Sequence, residues 1–184
     1  IATPVTYCAA DVTNVFPGNT SLRVETVEML LEDICLSLAR SGFYNIMVVS
    51  GHADPGNAAA VVRGIENAKK KNNKVNGTYS AWFDKAYFNG IHPTYDLHAG
   101  ESETGFGLMR YPELLDKAQI ASLKPNYEGE FLFERIGAGA KDFIECGAPD
   151  AYFGDPAAAT AENADKQYDV FSDYVVDEVR ALLG

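Results

Sequence analysis

The segment Asp96-Leu97-His98-Ala99-Gly100-Glu101-Ser102-Glu103-Thr104 packs one histidine and three acidic residues into eight positions. An imidazole moves protons near neutral pH, and carboxylates hold protons or cations. A second cluster, Gly51-His52-Ala53-Asp54-Pro55-Gly56-Asn57, directly follows the apolar run Ile46-Met47-Val48-Val49. A neutral imidazole at His52 can bind a divalent metal, and Asp54, two residues on, can present a carboxylate from the same loop. Together the clusters offer the groups that metal-assisted hydrolysis needs. Each also has a plainer reading. Asp54-Pro55-Gly56 is a good turn sequence, and His52 suits a polar loop capping the next helix. Glu101 and Glu103 suit the first turn of a helix through the dipole alone. His98, beside glycine, is well placed for proton transfer, whereas His92 before Pro93 reads as a surface-loop residue.

The elements that position these clusters follow from hydrophobic period. Residues 20–41 read as a helix capped by Thr20 or Ser21, with Val24, Val27, Leu31, Ile34 and Leu38 on one face and Gly42 just past its end. Residues 43–50 read as a parallel strand covered on both faces. Residues 57–72 read as a helix with Ala60, Val61, Ile65 and Ala68 inward, ending in a solvated Lys69-Lys70-Lys71 run. Residues 75–83 alternate as a strand, and 84–97 form a loop rich in Tyr, Asn, Gly and Pro. A helix is expected over 101–116, irregular chain over 118–158, and an amphipathic closing helix over 160–183 carrying Tyr168, Phe171, Val175, Val179 and Leu182. Alternating strands and helices predict an α/β fold: a single-domain, three-layer sandwich over 1–184 with a largely parallel sheet.

Composition narrows the function classes. The chain has 184 residues, enough for one domain with a real core, and 47% hydrophobic content. A net charge of −11 argues against nucleic acid, whose phosphates require basic patches. No apolar run is long enough for a transmembrane span, and no signal peptide is evident, so neither a membrane nor a secreted setting is expected. Cys8, Cys35 and Cys146 are odd in number and far apart, a pattern of a reducing compartment, here the cytoplasm. Cys35 falls on an apolar helix face, and Cys8 is a second-rank thiol candidate. Gly137-Ala138-Gly139 is too short for a dinucleotide fingerprint, and P-loop and Gly-x-Ser-x-Gly patterns are absent.

Four ordered motifs resemble those of the creatininase family of metal-dependent amidohydrolases. Phe16-Pro17-Gly18-Asn19-Thr20-Ser21-Leu22 is similar to the family's FPGT-x-SL segment. Gly51-His52 with Asn57 is similar to its GH-x-x-N loop. Asp96-x-His98-Ala99-Gly100-Glu101-x-Glu103-Thr104, followed by Tyr111-Pro112-Glu113-Leu114, is similar to its D-x-HAGE-x-ETS segment. Gly154-Asp155-Pro156 with Ala159-Thr160-Ala161-Glu162 is similar to its C-terminal segment. The resemblance implies a creatininase-like fold and a site for two divalent metals (Zn, Mn or Fe) that activate water against an amide-type carbon. It implies metal ligation by His52 and, two residues on, Asp54. It also implies a proton-shuttle role for His98 and a place close to the metals for Glu103. Asp96, Trp82 and Tyr95 are expected at the substrate, although Trp82, Phe83, Tyr87, Phe88 and Tyr95 also suit a core.

The departures shape the expectation. The GH loop is two residues longer before its Asn, Asn19 and Gly105 replace Thr and Ser, and Val12-Thr13 stands where many members have Glu-His. Family members also carry an N-terminal segment with an E-x-H…D set and the metal-bridging carboxylate, which nothing here matches. The Ile1 start without Met points to a cleaved precursor, with a separately encoded partner or lost catalysis as the alternatives. The expectation is therefore a hydrolase of a C–N bond in a small cyclic or linear amide. Its missing ligands would come from an N-terminal fragment or separate chain, in a homo-oligomer. A peptide-trimming hydrolase and a non-catalytic binding partner are the competing readings.

Overall fold

Val27, Leu31, Cys35 and Ala39 recur every fourth residue, and helix α1 (Val24–Arg40) buries this stripe. It begins after Arg23, whose extended backbone makes no side-chain cap. The caps expected at Thr20 or Ser21 lie too early. Ser21 instead accepts the Ala10 N–H at 2.9 Å and donates to the Asp11 carboxylate at 2.6 Å, tying down the N-terminal segment. The other end closes as expected. Gly42 has φ +89°, its N–H reaches the Ala39 carbonyl, and Phe43 N–H reaches Leu38, a Schellman cap that an L side chain at Gly42 would strain. The structure is a computed structural model describing residues 1–80 and 93–184. The described residues fall into two compact units, one of 1–14, 18–80 and 174–184, the other of 15–17 and 93–173.

In the first unit α1 is followed by β1 (Asn45–Val49), α2 (Pro55–Lys71) and β2 (Asn76–Ser80). This is a β-α-β crossover whose strands pair in parallel, Asn45 opposite Asn76 through Val49 opposite Ser80. Strand alternation assigns the faces. Ile46 and Val48 share a side with Gly77 and Tyr79 and pack on the core of Val27, Leu31, Cys35, Ala60, Val61 and Ile65. Gly77 is required there, because a Cβ would sit 2.7 Å from Ile65 Cγ2. The opposite side of β2 meets the last turns of α6 (Ala161–Leu183): Asn76 Nδ2 donates to the Leu182 carbonyl at 3.2 Å, and Ser80 hydrogen-bonds Glu178. Helices above the sheet and a helix below it make the three layers. The apolar β1 run predicts cover on both faces, yet Val49, which alternates to the face away from Ile46 and Val48, is 51% exposed.

Two polar clamps tie α1 to α2. Glu28 accepts from Arg63 Nε at 2.7 Å and Asn67 Nδ2 at 2.8 Å, and Lys71 pairs with Glu32. The Arg63 guanidinium holds the Glu28 carboxyl below its ordinary range. The α2 N-terminus is built by Asp54, which accepts the Asn57 N–H at 2.8 Å, with Pro55 in the first helical position.

The second unit departs more from expectation. Helix α3 (Glu101–Arg110) stops six residues short of the predicted end, because Pro112 disfavours helical backbone at Tyr111 and lacks the N–H to continue. The stretch expected to be irregular contains α4 (Lys117–Ser122) and α5 (Leu132–Gly137). Asp116 caps α4 through the N–H groups of Ala118 and Gln119 at 3.0 Å. Helices this short carry too little period to be read from sequence. Helix α6 begins where Thr160 Oγ1 accepts the Asn163 N–H at 3.1 Å, and buries Ala164 and Phe171. Tyr168 and Val179, expected inward, are 45% and 38% exposed. No helix among the described residues is long and apolar enough to cross a membrane.

Candidate functional site

The His52 loop is held at both ends by one backbone residue. Ala9 donates its N–H to the buried Asn57 Oδ1 at 3.1 Å, and its carbonyl lies 3.1 Å from His52 Nε2. A carbonyl can only accept, so Nε2 carries the proton and Nδ1 keeps its lone pair. Ser50, just past β1, closes the loop: its Oγ accepts the His52 N–H at 3.1 Å and donates to the His52 carbonyl at 3.0 Å. Asp54 spends Oδ1 on Asn57, which leaves its second oxygen. Its charge also bears on Cys8. Burial first, then Asp54, pushes the Cys8 thiol upward, so Cys8 is not the thiolate a nucleophile requires. All three cysteines are unpaired, and Cys35 and Cys146 are buried.

These donors suit part of a divalent-metal site. A ligating histidine typically has its other nitrogen held by a carbonyl or carboxylate, and His52 has this arrangement through the Ala9 carbonyl. Among the described residues no group of three or more His, Cys, Asp or Glu side chains is close enough to hold an ion. Within the loop, His52 Nδ1 and the Asp54 oxygen not bound to Asn57 are the groups with the chemistry to hold such an ion.

The second unit holds the Asp96–Thr104 segment. His98 pairs with Phe153 in a short antiparallel bridge, Phe153 N–H to His98 O at 2.8 Å and His98 N–H to Phe153 O at 3.4 Å. The His98 ring meets Phe143 edge-on at 5.2 Å, and Phe143 in turn meets Phe153 at 5.1 Å. Ala99 follows with φ +49°, a left-handed conformation unusual for a residue with a side chain. Its N–H donates to Glu103 Oε2 at 2.6 Å, and the same oxygen lies 3.8 Å from His98 Nδ1.

Asp96 lies inside the second unit. It is 5% exposed and accepts from both the backbone N–H (3.0 Å) and hydroxyl of Ser102, so it starts α3 from within. Its other oxygen lies against Gly100 and Gly154, where an added Cβ would collide with it. Ser102 Oγ also accepts from Gln167 Nε2 of α6 at 3.3 Å. Tyr95 donates to Glu101 at 3.4 Å and meets Tyr127 edge-on; burial, then the Glu101 charge, raises its phenol. Glu101 lines a cavity of about 340 Å³ with Pro93, Thr160, Asn163, Lys166 and Gln167, which neither His98 nor Glu103 borders among the described residues. Trp82, Phe83, Tyr87, Phe88 and His92 lie outside the described residues.

The structure thus joins His52, Asn57 and Asp54 through Ala9 and the α2 cap, and separately joins His98, Glu103, Phe143 and Phe153. Sequence reasoning missed the Ala9 carbonyl and Phe143, which carry no local signal. It missed Ser102 as well, although a serine in the second helical position six residues after an aspartate is the trace of that cap.

Comparison with known proteins supplies the family. The model described as "Creatininase: Creatinine amidohydrolase" matches residues 1–179. A creatinine amidohydrolase of Pseudomonas putida is 31% identical over 127 residues, 61% of this chain and 48% of that protein, so the chain spans about half the length of the curated relative it matches. Among solved structures, a proposed creatinine amidohydrolase of Bacteroides fragilis superposes with a TM-score of 0.73 at 24% identity, over 97% of this chain and 70% of the other. A glutamate-to-glutamine mutant creatininase of Zn-Zn type superposes at 0.70 and 23%, over 95% and 71%. The α/β fold with its parallel strands is accordingly the creatininase fold, and with the family model matched over nearly its whole length the chain belongs to the creatininase family.

Proposed function

We propose that this chain forms part of a metal-dependent amidohydrolase that cleaves a C–N bond in a small cyclic or linear amide. The observation that carries the reading is the 3.1 Å contact of His52 Nε2 with the Ala9 carbonyl, which assigns the proton to Nε2 and leaves Nδ1 as a metal donor on the loop that also carries Asp54. When bound, divalent metal supplies Lewis acidity and a more acidic water. The names of the relatives support the choice, since one is a creatinine amidohydrolase and another a Zn-Zn creatininase. In this reading His52 and Asp54 are ligands, with the remaining ligands coming from polypeptide beyond these 184 residues, either a preceding segment or a partner chain. His98 gives a proton to the departing nitrogen, a task suited to a half-exposed imidazole. Asp96, Tyr95 and Trp82 are proposed to shape the substrate pocket. Three unpaired cysteines support a reducing compartment, the cytoplasm.

Dialysis of the intact protein against a chelator tests the metal. Hydrolysis of creatinine and related lactams should fall about 100-fold or more and return with Zn or Mn. Activity that survives complete metal removal would exclude the reading. The Asp54→Ser variant separates ligation from helix capping, because serine keeps the cap and lacks the carboxylate. Its melting temperature should stay close to wild type, within about 1 kcal/mol of stability, while metal content measured by mass spectrometry drops. Unchanged metal content would remove Asp54 from the ligand set.

A further inference from the structure

We infer that Glu103 is a positioning residue for His98, holding Nδ1–H so that Nε2 is the nitrogen that exchanges protons. The inference rests on the proposed role of His98 and adds what sets its tautomer. Three acidic residues surround this histidine in sequence, and the structure gives each a different task. Asp96 turns inward to Ser102, Glu101 accepts from Tyr95, and Glu103 reaches back from the first turn of α3 to the His98 side. One oxygen of Glu103 does two things. It takes the Ala99 N–H at 2.6 Å, and it stands 3.8 Å from His98 Nδ1.

The local backbone explains how a carboxylate five residues away comes to face the ring. Left-handed Ala99 reverses the chain between His98 and α3. The Glu103–Ala99 hydrogen bond holds that reversal, like the returning carboxylate of a capping box. Phe143 meets the ring edge-on and restricts its rotation. The 3.8 Å separation is too long for a hydrogen bond and short enough for one to form by a small movement of two half-exposed side chains. Catalytic hydrogen bonds commonly shorten once substrate is bound. A carboxylate on Nδ1 selects the Nδ1–H tautomer and leaves the Nε2 lone pair to take a proton from the attacking water, which the same nitrogen then passes to the departing nitrogen.

Long-range ¹H–¹⁵N spectra of His98 in the intact protein, recorded where the imidazole is neutral, read this directly. Wild type should show Nδ1–H in excess. Glu103→Ala should shift the ratio toward Nε2–H by about two- to fivefold, as expected for a partly exposed charged contact. Glu103→Gln can still accept the Ala99 N–H through its amide oxygen, so it keeps the turn if the alanine variant loosens it. It should shift the ratio in the same direction by less. Both variants should retain bound metal, and kcat should fall more than KM changes. An unchanged tautomer ratio in folded Glu103→Gln and Glu103→Ala overturns the inference. So does loss of metal from Glu103→Gln, which would make Glu103 a ligand. A His98→Gln protein with full activity would instead strike the proposed function, and the tautomer measurement on the Glu103 variants would remain readable.

Discussion

His98→Gln is expected to lower kcat by about 10²–10⁴-fold, the usual contribution of a positioned general acid. That range corresponds to about 3–5 kcal/mol of barrier. Stability should change little, because the parts of His98 that build structure are its backbone groups, paired with Phe153, and the side chain is 40% exposed. Among the described residues the ring gives up an edge-on approach to Phe143 at 5.2 Å, worth about 1 kcal/mol at most, and the half-exposed approach of Glu103 at 3.8 Å, worth about 0–1 kcal/mol. Bound metal should remain, since the proposed ligands His52 and Asp54 lie on a different loop. The pattern that identifies a proton-transfer residue is therefore a collapse of kcat with KM, metal content and melting temperature nearly unchanged. Steady-state kinetics on a lactam substrate, with metal analysis and thermal melts on the same preparation, checks all four quantities. Loss of metal in this variant would place His98 among the ligands and remove its role as acid.

Gly64→Ala should be the most damaging single methyl in the first unit. Gly64 lies where α2 crosses α1, and a Cβ there would stand 2.6 Å from the Glu28 carbonyl oxygen, 2.9 Å from Leu31 Cβ and 3.2 Å from the Glu32 nitrogen. Two effects oppose each other. Alanine in a helix interior gains about 1 kcal/mol over glycine from backbone entropy. Two of the three obstructing atoms are backbone, so they cannot rotate away as the tip of a flexible side chain could. The helices must separate, which loosens Val27, Leu31, Val61 and Ile65 together, and overpacking of this kind costs about 1–3 kcal/mol or more. With the clash the larger effect, a net loss of about 1–2 kcal/mol is expected, or about 2–8 °C in Tm for a chain of this size. Gly137→Ala is the matched control. It sits at the end of α5, its Cβ would meet nothing within 4 Å, and its melting temperature should equal or slightly exceed that of wild type. A Gly64→Ala protein as stable as Gly137→Ala would show that α1 and α2 do not approach this closely.

The α1–β1–α2–β2 order was legible because its information is local. Val24, Val27, Leu31, Ile34 and Leu38 recur at helical spacing, Ile46 to Val49 form a short apolar run, and Gly42 marks a helix end with a left-handed residue. The same logic failed where period is short or broken. α3 ended at Arg110 because Pro112 acts through the backbone of the residue before it, and α4 and α5 span fewer than two turns each. The cap of α1 was misplaced because Ser21, a good capping residue, was drawn into hydrogen bonds with Ala10 and Asp11 instead.

The sequence by itself determined the family, because its four motifs are contiguous runs whose residue types survive without their neighbours in space. It also supplied the two histidines and the carboxylates on which a hydrolytic reading rests. Only the tertiary structure decided which partner each of them meets. The His52 tautomer depends on Ala9, 43 positions earlier, and the restraint on His98 depends on Phe143, 45 positions later. Asp96, Glu101 and Glu103 are alike as letters. Burial against Gly100 and Gly154 sends the first into the fold, a phenol takes the second, and the turn at left-handed Ala99 brings the third to His98. Hydrogen bonds and burial join residues through space, and no spacing along the chain encodes which carboxylate will find which partner.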